Sequence, residues 1–562
     1  MIVKPAAIGL CAVLAMAASA GLSQSETEHN GLAQLPASVQ AEVYQVVLDV
    51  EDPCFEFLGG DWSLVNSGNR VAYYYFTHPG PGSGEARGRW IAEGLPPGEY
   101  LVEFFCDDAD YPTDARYEVI HASGVTMQTV NMNYVGAGWH RLGVFTFNRV
   151  GVVTVSDYWE GTGSLIAVDA LRLTLQGALP EAPPGAVPPH IGICIDDVGN
   201  ADPADPSTPL ARMLRLPLQM TYAILPTTAY AAVSAEAIHS QGSEVILHQA
   251  MAAITIPNPG YNAITDSMTL EQVRATLGAN LDSIPHVAGM NNHTGSLITQ
   301  QRDKMSACMD VLKERGLFFF DSRTITKSVA FDVARENGLL TGERDLFIDG
   351  SNAEEAKTLI RSLAQRARFA PHVPLLAIGH VRSGTAQALE EMVPELAAMG
   401  VEIWPISRCL SLTVESDFQP AGSQFQKTGA WSAVEDRWSK SLRRGGAWAT
   451  DASGAEVFFI PELPVAGSYR VWATWGGTEV SNAPALSAAV RWAQGTTTFF
   501  IDQREHVNDW YPLGRYNFKA GTQGLVSFMN DGGGGAGSLA RADAVRFEFA
   551  GSESAFSLWA LK

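Results

Sequence analysis

The sequence predicts a multidomain protein in which a distorted (β/α) barrel of seven or eight units lies between two β-sandwich domains. Its 562 residues are enough for about three domains. Short apolar runs alternate with amphipathic helical segments over residues 190–410, which is typical of a parallel α/β fold. On either side of this block, residues 36–177 and 413–551 are rich in glycine, aromatic residues and alternating patterns, which indicate sandwiches of short strands.

Residues 1–20 have the pattern of a secretory signal peptide. Lys4 supplies a positive charge, an apolar stretch follows it, and Ala18-Ser19-Ala20 is typical of a cleavage site. We therefore expect cleavage near Ala20 and a secreted or periplasmic mature protein. No later apolar run reaches the ~18 residues of a membrane span, so we expect no transmembrane segment.

Acidic residues outnumber basic ones, and the formal net charge is −22. A chain with this charge repels nucleic acid and anionic lipid, and no basic stripe in the sequence offsets the repulsion. We therefore expect no nucleic-acid partner. A carbohydrate polymer or oligosaccharide is easier to accommodate, and the oligomeric state is left open.

The two flanking regions are related to each other in sequence. "GWHRLGVFTF" aligns with "DWYPLGRYNF", which pairs Trp139 with Trp510, and "GSLIAVDALRL" aligns with "GSLARADAVRF", which pairs Asp169 with Asp543. Both regions resemble the golvesin or xanthan-lyase type accessory domain that is attached to secreted sugar-active enzymes. Such a domain either binds carbohydrate through exposed aromatic residues or acts as a spacer. Recurrence between the copies favours a core role for Trp62, Trp139 and Trp510.

A proline-rich linker, residues 178–189, precedes the central block. Eight apolar runs in that block predict strands: "IGICI", "QMTYAIL", "EVIL", "VAGM", "LFFF", "DLFI", "LLAIG" and "VEIWPI". Helices are predicted between them, one with a capping box at Thr269 and Gln272 and another from a cap at Thr299 to Gly316. Seven or eight such units in about 220 residues are close to the size of a (β/α) barrel.

Polar residues directly follow most of these strands. Parallel strands gather their carboxyl ends on one face, where barrel and doubly wound enzymes build their sites. One such residue alone is usually a helix cap or a rim residue, but six endings that carry acids, imidazoles and amides together indicate a metal or acid–base site. The candidates are Asp196, Asp197, His248, Asn291, Asn292, His293, Asp321, Arg323, Asp349 and His380.

Two histidines and a carboxylate are the usual ligands of a catalytic divalent metal that keeps one position open. Zinc is the expected metal, although nitrogen and oxygen ligands also suit other divalent ions. Such a metal lowers the pKa of a bound water towards ~7 and polarises a carbonyl oxygen, which favours hydrolysis of an amide or an ester. A second acid can accept the proton of the water, and a further histidine can protonate the leaving group.

Seven motifs in a fixed order carry a resemblance to a known family. "ICIDDVGN", "MTYAILP", "SEVILHQAM", "GMNNHTGS", "FFFDSRT", "RDLFIDG" and "LLAIGH" together resemble the divergent polysaccharide deacetylase family, a branch of the NodB-type carbohydrate esterases with a distorted (β/α) barrel. The resemblance spans essentially all of the central block. It implies a metal-dependent hydrolase that removes acetyl groups from N-acetylated or O-acetylated sugars. The alternative is a non-catalytic envelope protein that binds metal or carbohydrate on the same scaffold.

The resemblance also implies a role for each site residue. Asp196 would be the general base, while Asp197 and His248 would be metal ligands. His380 would be the acid that protonates the leaving group. The residues that would line the cleft, binding sugar hydroxyls or fixing His380, are Asp321, Arg323 and Asp349.

One position departs from the family pattern. The ordinary deacetylase has a second metal-binding imidazole four positions after the first, where this sequence has Ala252. The missing ligand must come from another segment, and His293 in "MNNHTGS" is the candidate. Asn291 and Asn292 beside it would orient substrate or hold the ligands in place.

Overall fold

A computed structural model of the protein describes most of the chain from residue 44 to residue 550. The described residues are 44–50, 54–59, 62–65, 73–77, 86–106, 114–131, 138–148, 150–156, 165–177, 188–369, 373, 375–435, 446–477, 481–507, 509–532 and 537–550. The predicted signal peptide and most of the predicted linker lie outside these residues, so both stay predictions.

The N-terminal domain consists of antiparallel sheets of four, five and three strands. Their orders are β1-β12-β6-β9, β2-β5-β10-β7-β8 and β11-β4-β3. The strands are β1 (Gln45–Asp49), β2 (Phe55–Gly59), β3 (Trp62–Val65), β4 (Tyr73–Thr77), β5 (Arg87–Glu93), β6 (Gly98–Cys106), β7 (Asp114–His121), β8 (Gly124–Asn131), β9 (Gly138–Phe147), β10 (Val150–Ser156), β11 (Leu165–Val168) and β12 (Ala170–Leu175).

The C-terminal domain repeats this arrangement strand for strand. Its strands are β22 (Ser411–Glu415), β23 (Gln424–Thr428), β24 (Ser432–Glu435), β25 (Gly446–Thr450), β26 (Glu456–Ile460), β27 (Gly467–Thr474), β28 (Leu486–Trp492), β29 (Gly495–Ile501), β30 (Trp510–Phe518), β31 (Leu525–Met529), β32 (Ala540–Ala542) and β33 (Ala544–Phe549). They pair in the orders β22-β33-β27-β30, β23-β26-β31-β28-β29 and β24-β25-β32. The internal repeat that the sequence predicts is therefore present in the strand order.

Matched side chains in the two copies make matched contacts. The guanidinium of Arg172 lies 4.4 Å from the ring centre of Trp139, and that of Arg546 lies 4.5 Å from the ring centre of Trp510. Trp510 is buried and Trp139 is half-buried, which agrees with a framework role for both. The side chain of Trp62 lies outside what the structure describes.

The central domain is a mixed α/β layer with seven helices in the described residues. Its elements are β13 (His190–Val198), α1 (Pro209–Met213), β14 (Thr221–Ile224), α2 (Ala231–Ser240), β15 (Glu244–Met251), α3 (Leu270–Asp282), β16 (Val287–Thr294), α4 (Arg302–Arg315), β17 (Phe318–Asp321), α5 (Ala330–Glu336), β18 (Thr341–Glu343), β19 (Leu346–Phe347), α6 (Ala353–Phe369), β20 (Leu375–His380), α7 (Ser383–Met399) and β21 (Glu402–Trp404). Short 3-10 turns span Ile298–Gln300 and Ile406–Cys409.

The helix signals in the sequence are confirmed at two of the three predicted ends. Thr269 accepts a hydrogen bond from Gln272 N at 3.2 Å and forms the predicted capping box at the start of α3. Gly316 ends α4 in the left-handed conformation. The predicted cap at Thr299 is wrong, because this residue lies in a 3-10 turn and donates its hydroxyl to Gly295 O, while α4 begins at Arg302.

The central sheet has the order β19-β20-β13-β14-β15-β16-β17-β18, with parallel neighbours, and β21 also pairs with β13. It is strongly curved. The side chain of Asn291 on β16 donates to Asp196 Oδ1 on β13 at 2.8 Å. In a flat sheet those two strands would lie roughly 14 Å apart, three spacings of about 4.8 Å.

The expected distorted (β/α) barrel is confirmed only in part. β18 and β19 lie at the two ends of the part of the sheet that the central domain supplies, and they belong to one segment, residues 341–347. The first part pairs with β17 and the second with β20. Thr341 of β18 also pairs with Ser411 of β22, so the sheet continues into the C-terminal domain instead of closing on itself.

Alternation along the parallel strands separates two cores. On β13, Ile191 and Ile193 face a core that they share with the helices, whereas Cys194 faces a second core that continues into the C-terminal domain. On β17, Phe319 faces the helices and Phe320 faces the second core. The polar residues at the strand ends follow the same alternation, which decides which of them reach the site.

Candidate metal centre

The acid pair Asp196-Asp197 lies at the end of β13, where pairing with β14 is irregular. Ile195 pairs with Tyr222 and Val198 pairs with Ile224, so the two acids occupy a bulge. Asp197 has φ +65°, a left-handed conformation that aspartate tolerates better than most residues. A bulge redirects side chains at the edge of a sheet, and here it gives two successive acids to one site.

His248 and His293 come from the adjacent parallel strands β15 and β16. His248 is the register partner of Asn291, and Ala250 is the register partner of His293. Side chains two residues apart on a strand share a face, so Asn291 and His293 point to the same side as His248. The small Ala250 beside His293 leaves room for the second imidazole.

The three predicted metal ligands meet at one point. Asp197 Oδ1 lies 3.4 Å from His248 Nε2 and 3.1 Å from His293 Nδ1, and the two imidazole nitrogens lie 3.1 Å apart. An ion with bonds of about 2.0 Å in tetrahedral geometry separates its ligand atoms by about 3.3 Å. The donor set and its spacing therefore fit a divalent metal, and these side chains could bind it without moving apart.

Asn291 orients two members of the site. Its Oδ1 accepts a 2.7 Å hydrogen bond from His248 Nδ1, and its Nδ2 donates to Asp196 Oδ1 at 2.8 Å. Because His248 uses Nδ1 as a donor, its Nε2 faces Asp197 and His293 with a lone pair. A partner that fixes the ligand tautomer in this way is a regular feature of metal sites.

The charges in the site are strongly coupled. Burial raises the pKa of Asp197, but hydrogen bonds with His248 and His293 outweigh burial and hold that pKa well below its usual range. Burial lowers the pKa of His248, but the carboxylates of Asp196 and Asp197 more than offset it, and the net pKa of His248 is raised. Asp197 therefore stays ionised and attracts a cation to this point.

His380 approaches the site from the other side of β13. It ends β20 and is the register partner of Asp196. Its Nδ1 is hydrogen-bonded to Asp349, and its backbone N donates to the same carboxylate at 3.0 Å. Thr385 also donates to Asp349, at 2.5 Å. Asp349 thus fixes His380, one of the two roles that the sequence assigned to it, and leaves Nε2 of the imidazole for the cleft.

Thr385 was not a candidate in the sequence. Its hydroxyl holds the carboxylate that holds His380. The signal for it was weak, since Thr385 lies in the first turn of α7, where threonine is a common residue for purely local reasons. Thr385 is associated with the site only by its position, five residues after His380 on the helix that follows β20.

Asp321 and Arg323 do not line the cleft as the sequence predicted. Asp321 follows the alternation of Phe319 and faces the helices, where it accepts hydrogen bonds from Arg323 N at 2.8 Å and Ser328 Oγ at 2.8 Å. Arg323 is 4% exposed and forms an ion pair of 2.7 Å with Glu343. Both side chains stabilise the loop after β17.

Asn291 and Asn292 are 0% and 1% exposed. Asn292 donates to Thr294 O at 2.8 Å and accepts from Ser322 N at 3.0 Å. Of the two roles that the sequence left open for these amides, orienting substrate and holding ligands, their burial and internal hydrogen bonds agree with the second.

Comparison of the sequence with known protein families identifies the three domains. Residues 193–410 match the model of the divergent polysaccharide deacetylase family, and residues 46–175 and 418–549 each match the golvesin C-terminal domain. An uncharacterised protein of Haemophilus influenzae is 33% identical over 204 residues, which cover 36% of this chain and 69% of that protein.

The chain belongs to the divergent polysaccharide deacetylase family. The uncharacterised protein YibQ of Escherichia coli is 28% identical over 207 residues, covering 37% of this chain and 63% of that protein. A xanthan lyase of Bacillus sp. is 33% identical over 263 residues, covering 45% of this chain and 25% of the lyase. The matched parts of this chain thus cover 69%, 63% and 25% of the length of these three relatives.

Among solved structures, an uncharacterised protein of Agrobacterium tumefaciens is 18% identical and has a TM-score of 0.37, covering 40% of this chain and 91% of that one. A likeness of this degree adds nothing to the family assignment. In the described part of this deacetylase family member, no helix has both the length and the apolar character needed to cross a membrane.

Proposed function

We propose that this protein is a secreted or periplasmic hydrolase that uses a divalent metal, zinc by expectation, to remove acetyl groups from N-acetylated or O-acetylated sugars of a polysaccharide or glycan. One observation carries the proposal: a carboxylate and two imidazoles from three different strands converge within ligand distance of one another. The family membership supports the same reaction class.

The proposed ligands are Asp197, His248 and His293. The side chain of His248 is buried, whereas those of Asp197 and His293 are 37% and 21% exposed. The site is therefore open on one side, as a catalytic metal site must be to admit water and substrate. When bound there, a divalent cation supplies a water of lowered pKa and polarises the carbonyl of the acetyl group.

Two residues of the chain are placed to move protons. Asp196 is buried, and its Oδ2 lies 3.6 Å from His248 Nε2, while its Oδ1 is occupied by Asn291. Oδ2 of Asp196 is therefore the oxygen that we assign as the general base. His380, whose Nδ1 is held by Asp349, presents Nε2 as the acid that protonates the departing amine or alcohol.

The experiment is an acetate-release assay with the purified protein and a panel of N-acetylated and O-acetylated oligosaccharides, with and without chelator, alongside elemental analysis. We expect one metal per chain and chelator-sensitive release of acetate. His293→Ala loses the metal, whereas His380→Ala keeps it and lowers kcat by about 10²–10⁴-fold. His239→Ala, a change at an exposed histidine of α2, serves as the matched control and leaves both unchanged.

The alternative is a non-catalytic envelope protein that binds metal or carbohydrate. The departure at Ala252 from the ordinary ligand pattern favours it. Stoichiometric metal without acetate release from any acetylated sugar, together with glycan binding, would establish this alternative. Retention of metal by His293→Ala would show that the ligand assignment is wrong.

A further inference from the structure

The loop between β15 and α3, residues 252–269, carries an unusual backbone beside the candidate metal centre. Tyr261 and Asn262 both have positive φ, +54° and +51°. Asparagine tolerates this conformation, but for a bulky residue such as tyrosine it is a genuine outlier. Strained residues of this kind persist only where the surroundings enforce them, and they cluster at functional sites.

The strain is enforced by a chain of three amides, of which Asn280 and Gln249 are buried. Asn262 Nδ2 donates to Asn280 Oδ1 at 2.7 Å, and Asn280 Nδ2 donates to Asn262 O at 3.0 Å and to Gln249 Oε1 at 2.8 Å. Gln249 follows His248 on β15 and is fully buried. The backbone beside Tyr261 is thereby tied to the strand that carries a metal ligand.

The start of the loop is tied to the segment that carries the other imidazole. Thr294 Oγ1 donates to Met251 O at 2.6 Å, and Ser296 Oγ accepts from Ile254 N at 3.1 Å. Thr294 and Ser296 belong to "MNNHTGS", so this motif anchors the loop as well as supplying His293. Two strands of the site therefore fix both halves of the loop.

These anchors bring the ring of Tyr261 to His293. The two ring centres lie 5.9 Å apart, and the planes meet edge to face at 89°. Tyr261 is half-buried, and the side chain of His293 beside it is 21% exposed, so the pair lies at the open side of the metal site. On the same loop, Ile254 and Ile256 are exposed, at 56% and 46%.

We infer that Tyr261 is a substrate-binding residue whose ring packs against the apolar C–H face of the acetylated sugar and holds its acetyl group at the metal centre. This rests on the proposed function. An aromatic side chain offers a large apolar face with a polar tip, and the rigid loop lowers the entropy cost of presenting it. The expected substrate is a pyranose with one apolar face, not an acyl group on a protein or a small free amide.

The test compares Tyr261→Asn with Tyr261→Phe on the acetylated oligosaccharide that the wild type cleaves fastest. Asparagine keeps the left-handed backbone and removes the ring, while phenylalanine keeps the ring. We expect Tyr261→Asn to raise KM about tenfold, with unchanged metal content and little change in kcat. Tyr261→Phe raises KM less than Tyr261→Asn does. Val233→Asn, which removes an exposed apolar side chain on α2, is the control.

The outcomes separate this inference from the proposed function. An active wild type with an unchanged KM in Tyr261→Asn overturns the role of Tyr261 and leaves the deacetylase proposal standing. Loss of metal in Tyr261→Asn also overturns it, because the ring would then only pack against His293. A wild type that releases acetate from no sugar overturns the proposed function, and the inference about Tyr261 with it.

Discussion

At the scale of single residues, the site depends on side chains that set the protonation of others. Burial lowers the pKa of His380, but the hydrogen bond and the charge of Asp349 outweigh it, and the net pKa of His380 is raised. Burial likewise raises the pKa of Asp349, but its hydrogen bond with His380 brings that pKa below the usual value. The pair is thus an imidazolium and a carboxylate over a wider pH range than either group alone.

Asp349→Asn removes the charge that keeps His380 protonated. The pKa of His380 then falls, the acid form is lost at lower pH, and the alkaline limb of the kcat profile moves to lower pH. The measurement is the pH dependence of kcat for acetate release by the two proteins. An alkaline limb that stays in place in Asp349→Asn contradicts the assignment of His380 as the acid.

The same shift affects stability. A raised folded pKa means that the contribution of His380 to stability is fully present below its unfolded pKa of about 6.5 and is lost as pH rises through the folded pKa. In Asp349→Asn that loss disappears, because the folded and unfolded pKa values of His380 become more alike. Thermal unfolding across this pH range therefore shows a weaker dependence on pH in the variant.

The candidate residues Asp197, His248 and His293 could be predicted from the sequence because parallel strands end on one face. The position of Asp321 could not be predicted in this way. It follows a strand as the others do, but alternation along "FFFD" directs it to the helices. The packing of the whole sheet decides which phenylalanines face the helices and which face the second core. A run of identical residues carries no signal of this choice.

At the scale of elements, β15 and β16 explain how this chain replaces a ligand of the family pattern. Ala252, at the position of the usual second imidazole, is fully buried in the core shared with the helices. Its N donates to Ile264 O at 2.8 Å, and its O accepts from Leu297 N at 3.2 Å. The backbone there is fixed away from the site, and β16 supplies His293 from the neighbouring strand.

Ala252→His does not restore a second ligand of the ordinary kind. An imidazole at this buried position overpacks the core, which costs about 1–3 kcal/mol of unfolding free energy. We expect a lower Tm and no gain in metal affinity by titration calorimetry. Ala232→His, at an exposed position of α2, is the matched control and changes neither. Tighter metal binding at undiminished stability in Ala252→His would contradict the structure of this loop.

All eight strands proposed for the central block appear in the fold, because apolar runs between helical segments are a strong local signal. β18 was missed. It has only three residues, Thr341–Glu343, and one of them is Gly342, so it has neither the length nor the β-branched pattern of a strand. The predicted cap of α4 is wrong for a different reason: Thr299 lies in a 3-10 turn, and the helix begins only at Arg302.

At the scale of the whole molecule, the central and C-terminal domains share a buried ionic cluster. Glu548 on β33 accepts hydrogen bonds from Arg470 at 2.8 Å and from the indole of Trp472 at 3.0 Å. Its carboxylate also lies 3.7 Å from Nε2 of His190, which begins β13 and stacks on Trp404. Burial raises the pKa of Glu548, but Arg470 and the other cations outweigh it and hold that pKa far below its usual range.

Glu548→Gln leaves Arg470 buried without its counter-charge. Removal of one partner of a buried pair costs about 3–5 kcal/mol of unfolding free energy. The depressed pKa of Glu548 means that its contribution is present above its unfolded pKa, about 4.3, and is lost as pH falls, so the difference between the proteins is largest at neutral pH.

The measurement for Glu548→Gln is urea unfolding of the full chain at pH 7 and at pH 4. Glu505→Gln, at an exposed position of the same domain, is the control. Equal stability of Glu548→Gln and wild type at pH 7 would mean that the cluster does not stabilise the contact between the two domains.

The division into three blocks could be predicted from the sequence, because the linker, the repeat and the change in periodicity are local signals. The sharing of one sheet by two blocks could not. Pairing of Thr341 with Ser411 joins residues that are 70 positions apart, and neither strand has a sequence pattern that indicates its partner. The sequence therefore predicted two separate domains where the structure has one continuous sheet.

That continuity limits how the chain can be recombined. The edge of β18 is covered by β22, whereas the equivalent strand β1 of the N-terminal copy ends its own sheet among the described residues. A gene fusion that transplants the central domain must bring residues 411–549 along or supply another strand for that edge. The two copies, alike in strand order, are thus not interchangeable: within the described residues the C-terminal copy continues the sheet of the central domain, and the N-terminal copy does not.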